Sequence, residues 1–157
     1  WKTYIFSPSH ASYYPNAKPT LYKLLFNNEG KIFGAQAAGF EGVEKRIDTI
    51  SAIIRNHGTV QEMLDCELCY APSYSSAKDA VNILGMCADN IIKGLIKPAY
   101  YEDLKTSYLI DVRSFEVYKK ETIENAHNIP VFELRKRLNE VPKNQKVVLF
   151  CNSGYTS

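Results

Sequence analysis

Lys146-Val147-Val148-Leu149-Phe150-Cys151-Asn152-Ser153-Gly154-Tyr155-Thr156-Ser157 decides how the second half of the chain reads. Lys146 to Phe150 is a short run apolar enough to be buried on both faces, as strands of parallel sheets are. A cysteine follows at once, then a loop containing Gly154. A strand that enters a tight glycine loop and continues into a helix points several backbone N–H groups at one spot. A cysteine heading that loop is biased from thiol toward thiolate, and the amides suit a bound oxyanion or persulfide. An inert cysteine buried at a strand end accounts for the same spacing.

Working back from this strand, Phe132 to Asn139 reads as a helix and Ala126-His127-Asn128-Ile129-Pro130 as a short extended segment. Ser114 to Lys120 is a helical turn, and Tyr108-Leu109-Ile110-Asp111-Val112 a buried strand. Strands alternating with helices imply an α/β domain. Gly94 to Pro98 marks a boundary, dividing residues 1–94 from residues 95–157.

Before the boundary the pattern changes. Ser76 can cap a helix running to about Ile92, with Ala80, Leu84, Cys87 or Ala88, and Ile91 on one side. Leu68 to Tyr74 is irregular around Pro72. Thr59 is an N-cap for a short helix, Val60 to Leu64. After Gly39, Val43, Ile47, Ile50 and Ile54 form one helical face, with Glu44, Lys45, Arg46 and Asp48 bunched at its start. Asn56-His57-Gly58 ends that helix. Leu21 to Phe26 and Lys31 to Ala38 form a hairpin across Asn27-Asn28-Glu29-Gly30, and Gly34 signals a bulge or close backbone approach. Residues 7–20 read as a loop. The first half is thus a small antiparallel sheet with helices, an α+β domain.

The 157 residues allow one ordinary domain or two small ones, at the usual ~100–200 residues per domain. A net charge of +2 and the lack of a basic stripe argue against a nucleic-acid partner, and Arg135-Lys136-Arg137 reads as an exposed helix face. No apolar stretch nears the ~20 residues that cross a bilayer, and no signal peptide is visible. The chain opens on Trp1-Lys2-Thr3 without a Met, so it reads as a piece of a longer protein. Cys66, Cys69, Cys87 and Cys151 lack a secreted framework spacing, which favours reduced thiols and a cytoplasmic location. Cys66-Glu67-Leu68-Cys69 has no second ligand pair for zinc and does not open a helix, so no metal site is read. Cys87 is expected in a helix core, and His10 and His57 in turns or on the surface.

Two resemblances sharpen this reading. Leu109-Ile110-Asp111-Val112-Arg113, then Ala126-His127-Asn128-Ile129-Pro130 with Glu133-Leu134, then the Cys151 loop, resemble a rhodanese domain, incomplete at its end. In that family the loop is Cys-x-x-Gly-x-Arg and its cysteine carries a persulfide. Cys151 and Gly154 match, while Thr156 stands at the Arg position. The resemblance implies a persulfide-binding loop of Asn152, Ser153, Gly154, Tyr155 and Thr156, with weakened use of thiosulfate. A tyrosine-phosphatase loop would need Arg where Ser157 stands.

Five blocks in the first half are similar to the C-terminal interface domain of coenzyme A-disulfide reductases and related NADH oxidases and polysulfide reductases. They are Ser9-His10-Ala11-Ser12-Tyr13-Tyr14-Pro15, Gly34-Ala35-Gln36-Ala37-Ala38-Gly39, Lys45-Arg46-Ile47-Asp48, Thr59-Val60 and Tyr70 to Asp79. The resemblance implies a homodimer formed through residues 1–94, with Tyr13 and Tyr70 reaching the partner's active site. It also implies FAD, NAD(P)H and coenzyme A in the complete enzyme, acting on a small-molecule thiol, disulfide or persulfide. No Gly-x-Gly-x-x-Gly occurs in the chain, so this segment alone is expected to bind no flavin. Catalytic expectations therefore fall on Cys151, Tyr13 and Tyr70. The competing expectation is a dimerising binding module whose rhodanese unit is inactive because of Thr156.

Overall fold

The hairpin flanking Asn27–Gly30 forms and gains a third strand. The structure, a computed structural model, describes residues 1–154 and 157. Strand β1 (Lys2–Pro8) pairs antiparallel with β2 (Pro19–Phe26), which pairs with β3 (Ile32–Gly39). The register slips between Leu25 and Phe26, opposite Gly34 and Ile32. This is the bulge expected near Gly34; a Cβ on Gly34 would meet nothing, so close approach is not its reason. Strand β1 was not expected from sequence. Its outward residues Tyr4 and Phe6 are as apolar as inward Ile5, which erases the period-2 alternation that marks a half-buried strand.

Three helices cover one face of this sheet. Helix α1 (Val43–Arg55) sets Ile50 in the core, α2 (Val60–Asp65) sets Val60 and Met63, and α3 (Ala80–Ile92) sets Val81, Leu84, Ala88 and Ile91. They close over Ile5, Tyr22, Leu24, Phe26 and Ile32, each large aliphatic side chain contributing about 1.5–3 kcal/mol relative to exposure. Thr59 caps α2 as expected, its hydroxyl accepting from Gln61 N–H while Glu62 Oε2 accepts from Thr59 N–H. Helices α2 and α3 meet at Gly85, where a Cβ would lie 2.9 Å from Met63 Cβ and 3.0 Å from the Leu64 nitrogen. Asn82 of α3 donates to the carbonyls of Met63, Leu64 and Cys66, satisfying the last turn of α2.

Two expectations here need correction, on Ser76 and His10. Ser76 does not cap α3; Asp79 does, accepting from Val81 N–H, because the helix begins only at Ala80 and Asp79 itself is extended. Among the charged residues bunched at the start of α1, Arg46 turns inward. It is 2% exposed and lies on the helical face between Val43 and Ile50. His10 is buried: its Nδ1–H donates to the Ala11 carbonyl and its ring meets Tyr14 edge-on.

Arg46 is tolerated inside because its charge is matched. Its Nε donates to both oxygens of Asp79 and Nη2 to Oδ2 at 2.9 Å, while Nη1 donates to the Gly42 carbonyl and the Tyr22 hydroxyl. Burial alone would raise the Asp79 carboxyl, but hydrogen bonds from Arg46, Ser75 and Val81 hold it below the usual carboxylate range.

The chain divides into two compact units, residues 1–98 and 99–157. In the second, β4 (Tyr108–Asp111) is central, parallel to β5 (His127–Asn128) on one side and β6 (Val147–Phe150) on the other. Helices α4 (Phe115–Lys120) and α5 (Val131–Leu134) follow β4 and β5. Leu109, Ala126 and Val148 pack on one face of the sheet, Ile110, Val112 and Ile129 on the other. The helix expected over Phe132–Asn139 stops at Leu134 and resumes only as a 3-10 turn at Leu138–Glu140. Here Arg137 salt-bridges to Glu133 and Glu140, and its backbone N–H donates to the carbonyls of both Glu133 and Leu134. Strand β6 is not buried on both faces, since Leu149 is 37% exposed.

Replacing Asp79 by Ala should cost about 3–5 kcal/mol, the typical penalty for stranding one partner of a buried pair. The loss is read from urea midpoints. Because the folded carboxyl is depressed below its unfolded value of ~3.9, its contribution is whole above that pH and is lost as pH falls through the folded value. Asp79→Asn should therefore flatten the acid limb of stability below pH ~4, and an unchanged limb would contradict the pair's role.

Candidate active-site groups and family

The first unit brings two of the sequence-derived residues together. Tyr13 lies in the loop between β1 and β2, and Tyr70 in the segment between α2 and α3. Their hydroxyl oxygens are 2.8 Å apart. Both phenols face outward, Tyr13 74% and Tyr70 49% exposed. The loops are joined by Ala11 N–H donating to the Pro72 carbonyl, and Ala11 is buried. Tyr74 and Ser75 turn back onto the Ala71 carbonyl, and the Ser75 hydroxyl donates to Asp79. The Tyr70 segment thus hangs from the buried Arg46–Asp79 pair. Lys45 donates to the Tyr74 carbonyl and lies over its ring; partial burial, then the neighbouring Arg46 charge, lower its ammonium pKa.

The hydrogen bond to Tyr70 raises the Tyr13 phenol above the ordinary tyrosine value. Tyr13 therefore holds its proton firmly and can donate to the Tyr70 oxygen. A pair of this kind can deliver one proton outward from Tyr70 while Tyr13 stabilises the oxygen left behind.

In the second unit, Cys151 follows β6 and is half-buried against the Ile110, Val112 and Ile129 cluster. Gly154, at φ +82°, turns its N–H onto Cys151 Sγ at 3.1 Å. That φ is one an L side chain adopts only with strain. Asn152 is exposed and Ser153 half-buried. Tyr155 and Thr156, the rest of the expected anion loop, lie outside the described residues.

Sequence reasoning did not assign a role to Arg113, which lies at this site. Its Nη1 donates to Asn152 Oδ1 at 3.0 Å. Nε and Nη2 grip Asp111, and Nη2 also donates to the Glu121 carbonyl. Asp111 is fully buried and also accepts from Thr122 Oγ1 and Arg113 N–H. Burial would raise its carboxyl, but these bonds hold it low. The available signal was the Asp-x-Arg spacing at the end of a buried strand.

None of the four cysteines is in a disulfide. Burial raises the thiol pKa of Cys66, with Asp65 adding to it, and burial raises that of Cys87. Among the described residues no His, Cys, Asp and Glu cluster could hold a metal, and no helix is long and apolar enough to cross a membrane.

Residues 2–81 match the pyridine nucleotide-disulphide oxidoreductase dimerisation domain. The chain belongs to that family. Behind this dimerisation domain, residues 97–157 match the rhodanese-like domain. Over 78 residues the chain is 41% identical to a coenzyme A disulfide reductase of Staphylococcus aureus, covering 49% of this chain and 18% of that relative. The solved structure of reduced Bacillus anthracis CoADR-RHD aligns over 96% of this chain and 28% of that one, with a TM-score of 0.91 and 44% identity. An NAD-dependent persulfide reductase from A. fulgidus aligns over the same shares, with a TM-score of 0.86 and 35% identity. Both the α+β dimerisation unit and the parallel-sheet rhodanese-like unit expected from sequence are shown by these matches and the strand pairings.

Removing the Tyr70 hydroxyl should let the Tyr13 phenol fall back toward ~10. Carbon-13 tyrosine NMR titration of wild type and Tyr70→Phe reads this directly. Equal Tyr13 titration in both proteins would mean that the hydroxyl contact is absent in solution.

Proposed function

We propose that this protein is the C-terminal part of a flavin-dependent NAD(P)H:disulfide oxidoreductase acting on coenzyme A disulfide, a persulfide or a polysulfide. Residues 1–94 form the dimerisation domain, and residues 95–157 a rhodanese-like domain that handles sulfane sulfur at Cys151. The observation that carries this reading is the exposed Tyr13–Tyr70 hydroxyl pair at 2.8 Å, held by a buried scaffold. The family membership of the first unit and the solved relatives that pair both units support it.

In this reading the two tyrosines cross the dimer axis of a homodimer. Reducing a disulfide takes two electrons and two protons; FAD and NAD(P)H would supply the electrons. No Gly-x-Gly-x-x-Gly fingerprint for either cofactor occurs in these 157 residues. The chain's own part is the proton: Tyr70 gives its hydroxyl proton to the departing thiolate, and Tyr13 donates to the resulting phenolate. The substrate is a small thiol, disulfide or persulfide, the protein works in the cytoplasm, and neither nucleic acid nor membrane is a partner.

At Cys151, the thiolate would attack the outer sulfur of R–S–SH. A new Sγ–S bond forms, the original S–S bond breaks, and its electron pair leaves as R–S⁻. Asn152, Ser153 and Gly154 follow Cys151 directly. Thr156 in place of Arg favours the second reading, a binding module with an inactive rhodanese unit.

Three experiments on the full-length protein decide. Tyr70→Phe should lower disulfide turnover by ~100-fold, the usual worth of one positioned proton donor, with flavin content and dimeric mass unchanged; full turnover would return Tyr70 to interface packing. Alkylation at mildly acidic pH, read by mass spectrometry, should label Cys151 ahead of Cys66 and Cys87, and Cys151→Ala should abolish sulfur transfer. Earlier labelling of Cys66 or Cys87 would favour the binding module.

A further inference from the structure

The Cys-x-x-Gly loop has Thr156 where a cation is expected, yet a cation reaches the loop from another strand. Arg113 follows β4, the strand parallel and adjacent to β6, and parallel strands bring their C-terminal ends to one edge of the sheet. Its guanidinium packs over the Phe150 ring, one residue before Cys151, and donates to Asn152, one residue after it. The two ends of the cysteine's own backbone are therefore flanked by one side chain.

We propose that Arg113 is the positioning residue of the Cys151 loop, holding Asn152 in place and bringing from β4 the guanidinium donor that Thr156 does not provide. This rests on the reading of Cys151 as a sulfur carrier and deepens it. The electrostatic coupling runs both ways, since the charge on Cys151 is among the interactions that raise the Arg113 pKa, after the hydrogen bond to Asp111.

The geometry also selects the donor. A guanidinium has five N–H groups. Nε–H and both Nη2 hydrogens are taken by Asp111 and the Glu121 carbonyl, and one Nη1 hydrogen by Asn152. Among the described residues, one Nη1 hydrogen is left for an incoming group. The Asp111–Arg113 pair is neutral as a unit, and Asp111 is fully buried behind it. Such a site offers a single directed donor with little net field. It suits the one negative charge of a persulfide and does not compensate the two of thiosulfate. The substrate class is a monoanionic persulfide, R–S–S⁻ or its protonated form. Sulfur passes from it to Cys151 without net oxidation or reduction.

The test uses the full-length protein with 2-hydroxyethyl persulfide, whose only charge is the persulfide's own, and thiosulfate as donors. Arg113→Gln strands the buried Asp111 and risks the fold, so Asn152→Ala, which leaves the ion pair intact, is measured beside it. Each variant is followed by iodoacetamide labelling of Cys151 against pH and by kcat/KM for each donor. Both variants should move the labelling profile to higher pH. For Arg113→Gln, labelling at pH 6 should fall about tenfold, the equivalent of one pKa unit. Arg113→Lys, which keeps the charge but not the fork, should recover labelling to within about threefold of wild type. Wild type should use the persulfide at least tenfold better than thiosulfate. An unshifted profile in Asn152→Ala together with a folded, unshifted or unfolded Arg113→Gln overturns the proposal, as does equal use of thiosulfate. Sulfur transfer persisting in Cys151→Ala would instead sink the sulfur-carrier reading itself, whatever the Arg113 variants do.

Discussion

The first unit is organised by one buried ion pair, Arg46 with Asp79. Taking both charges out of water is costly, and their attraction offsets that cost only when the remaining donors and acceptors are also met. Here they are. Arg46 reaches Gly42 and Tyr22, while Asp79 reaches Ser75 and the first turn of α3. The pair thereby fixes the sheet, α1, α3 and the approach to Tyr70 at one point. An apolar pair could fill the same volume, but it could not also cap a helix and hold Ser75.

The second unit uses the same chemistry at shorter range. Asp111 and Arg113 are two residues apart on one strand end, so their pairing needs no tertiary assembly beyond β4. Its reach is what matters: Thr122, Glu121 and Asn152 are gathered onto the pair, and Asn128 donates to the carbonyls of Asp111 and Arg113. The loops leaving three parallel strands are stitched at one edge, and Cys151 sits there.

How much of this was legible in the sequence follows from where the information lies. The β2–β3 hairpin, α1, α2 and the parallel strands announce themselves through local periodicity and turn residues. The Tyr13 and Tyr70 assignments came from resemblance, since residue type alone favours packing; only the fold shows their hydroxyls in contact. Arg46 escaped because charge masks helical periodicity: at 43, 46, 47 and 50 it occupies a core position, which a count of apolar residues passes over. Asp79 escaped as a cap because Ser76 offers the same side-chain chemistry three residues earlier, and only the backbone path decides between them. Strand β1 was lost because both of its faces carry aromatic or aliphatic groups. Arg113 was quoted within a motif, but its contact with Asn152 spans 39 residues and no local pattern encodes it.

The depressed Asp111 and the raised Arg113 have a bearing on how the cysteine corner behaves in a living cell. Both are locked in their charged forms across the whole range of physiological acidity, so they act as spectators: their electrostatic background is constant while the sulfur changes state. A swing in cellular pH would then be felt at the sulfur and at the incoming thiol, without the scaffold around them rearranging. Under the proposed sulfur-carrier role of Cys151, traffic through such a corner would follow the supply of persulfide and the state of one atom, a simple and easily throttled valve.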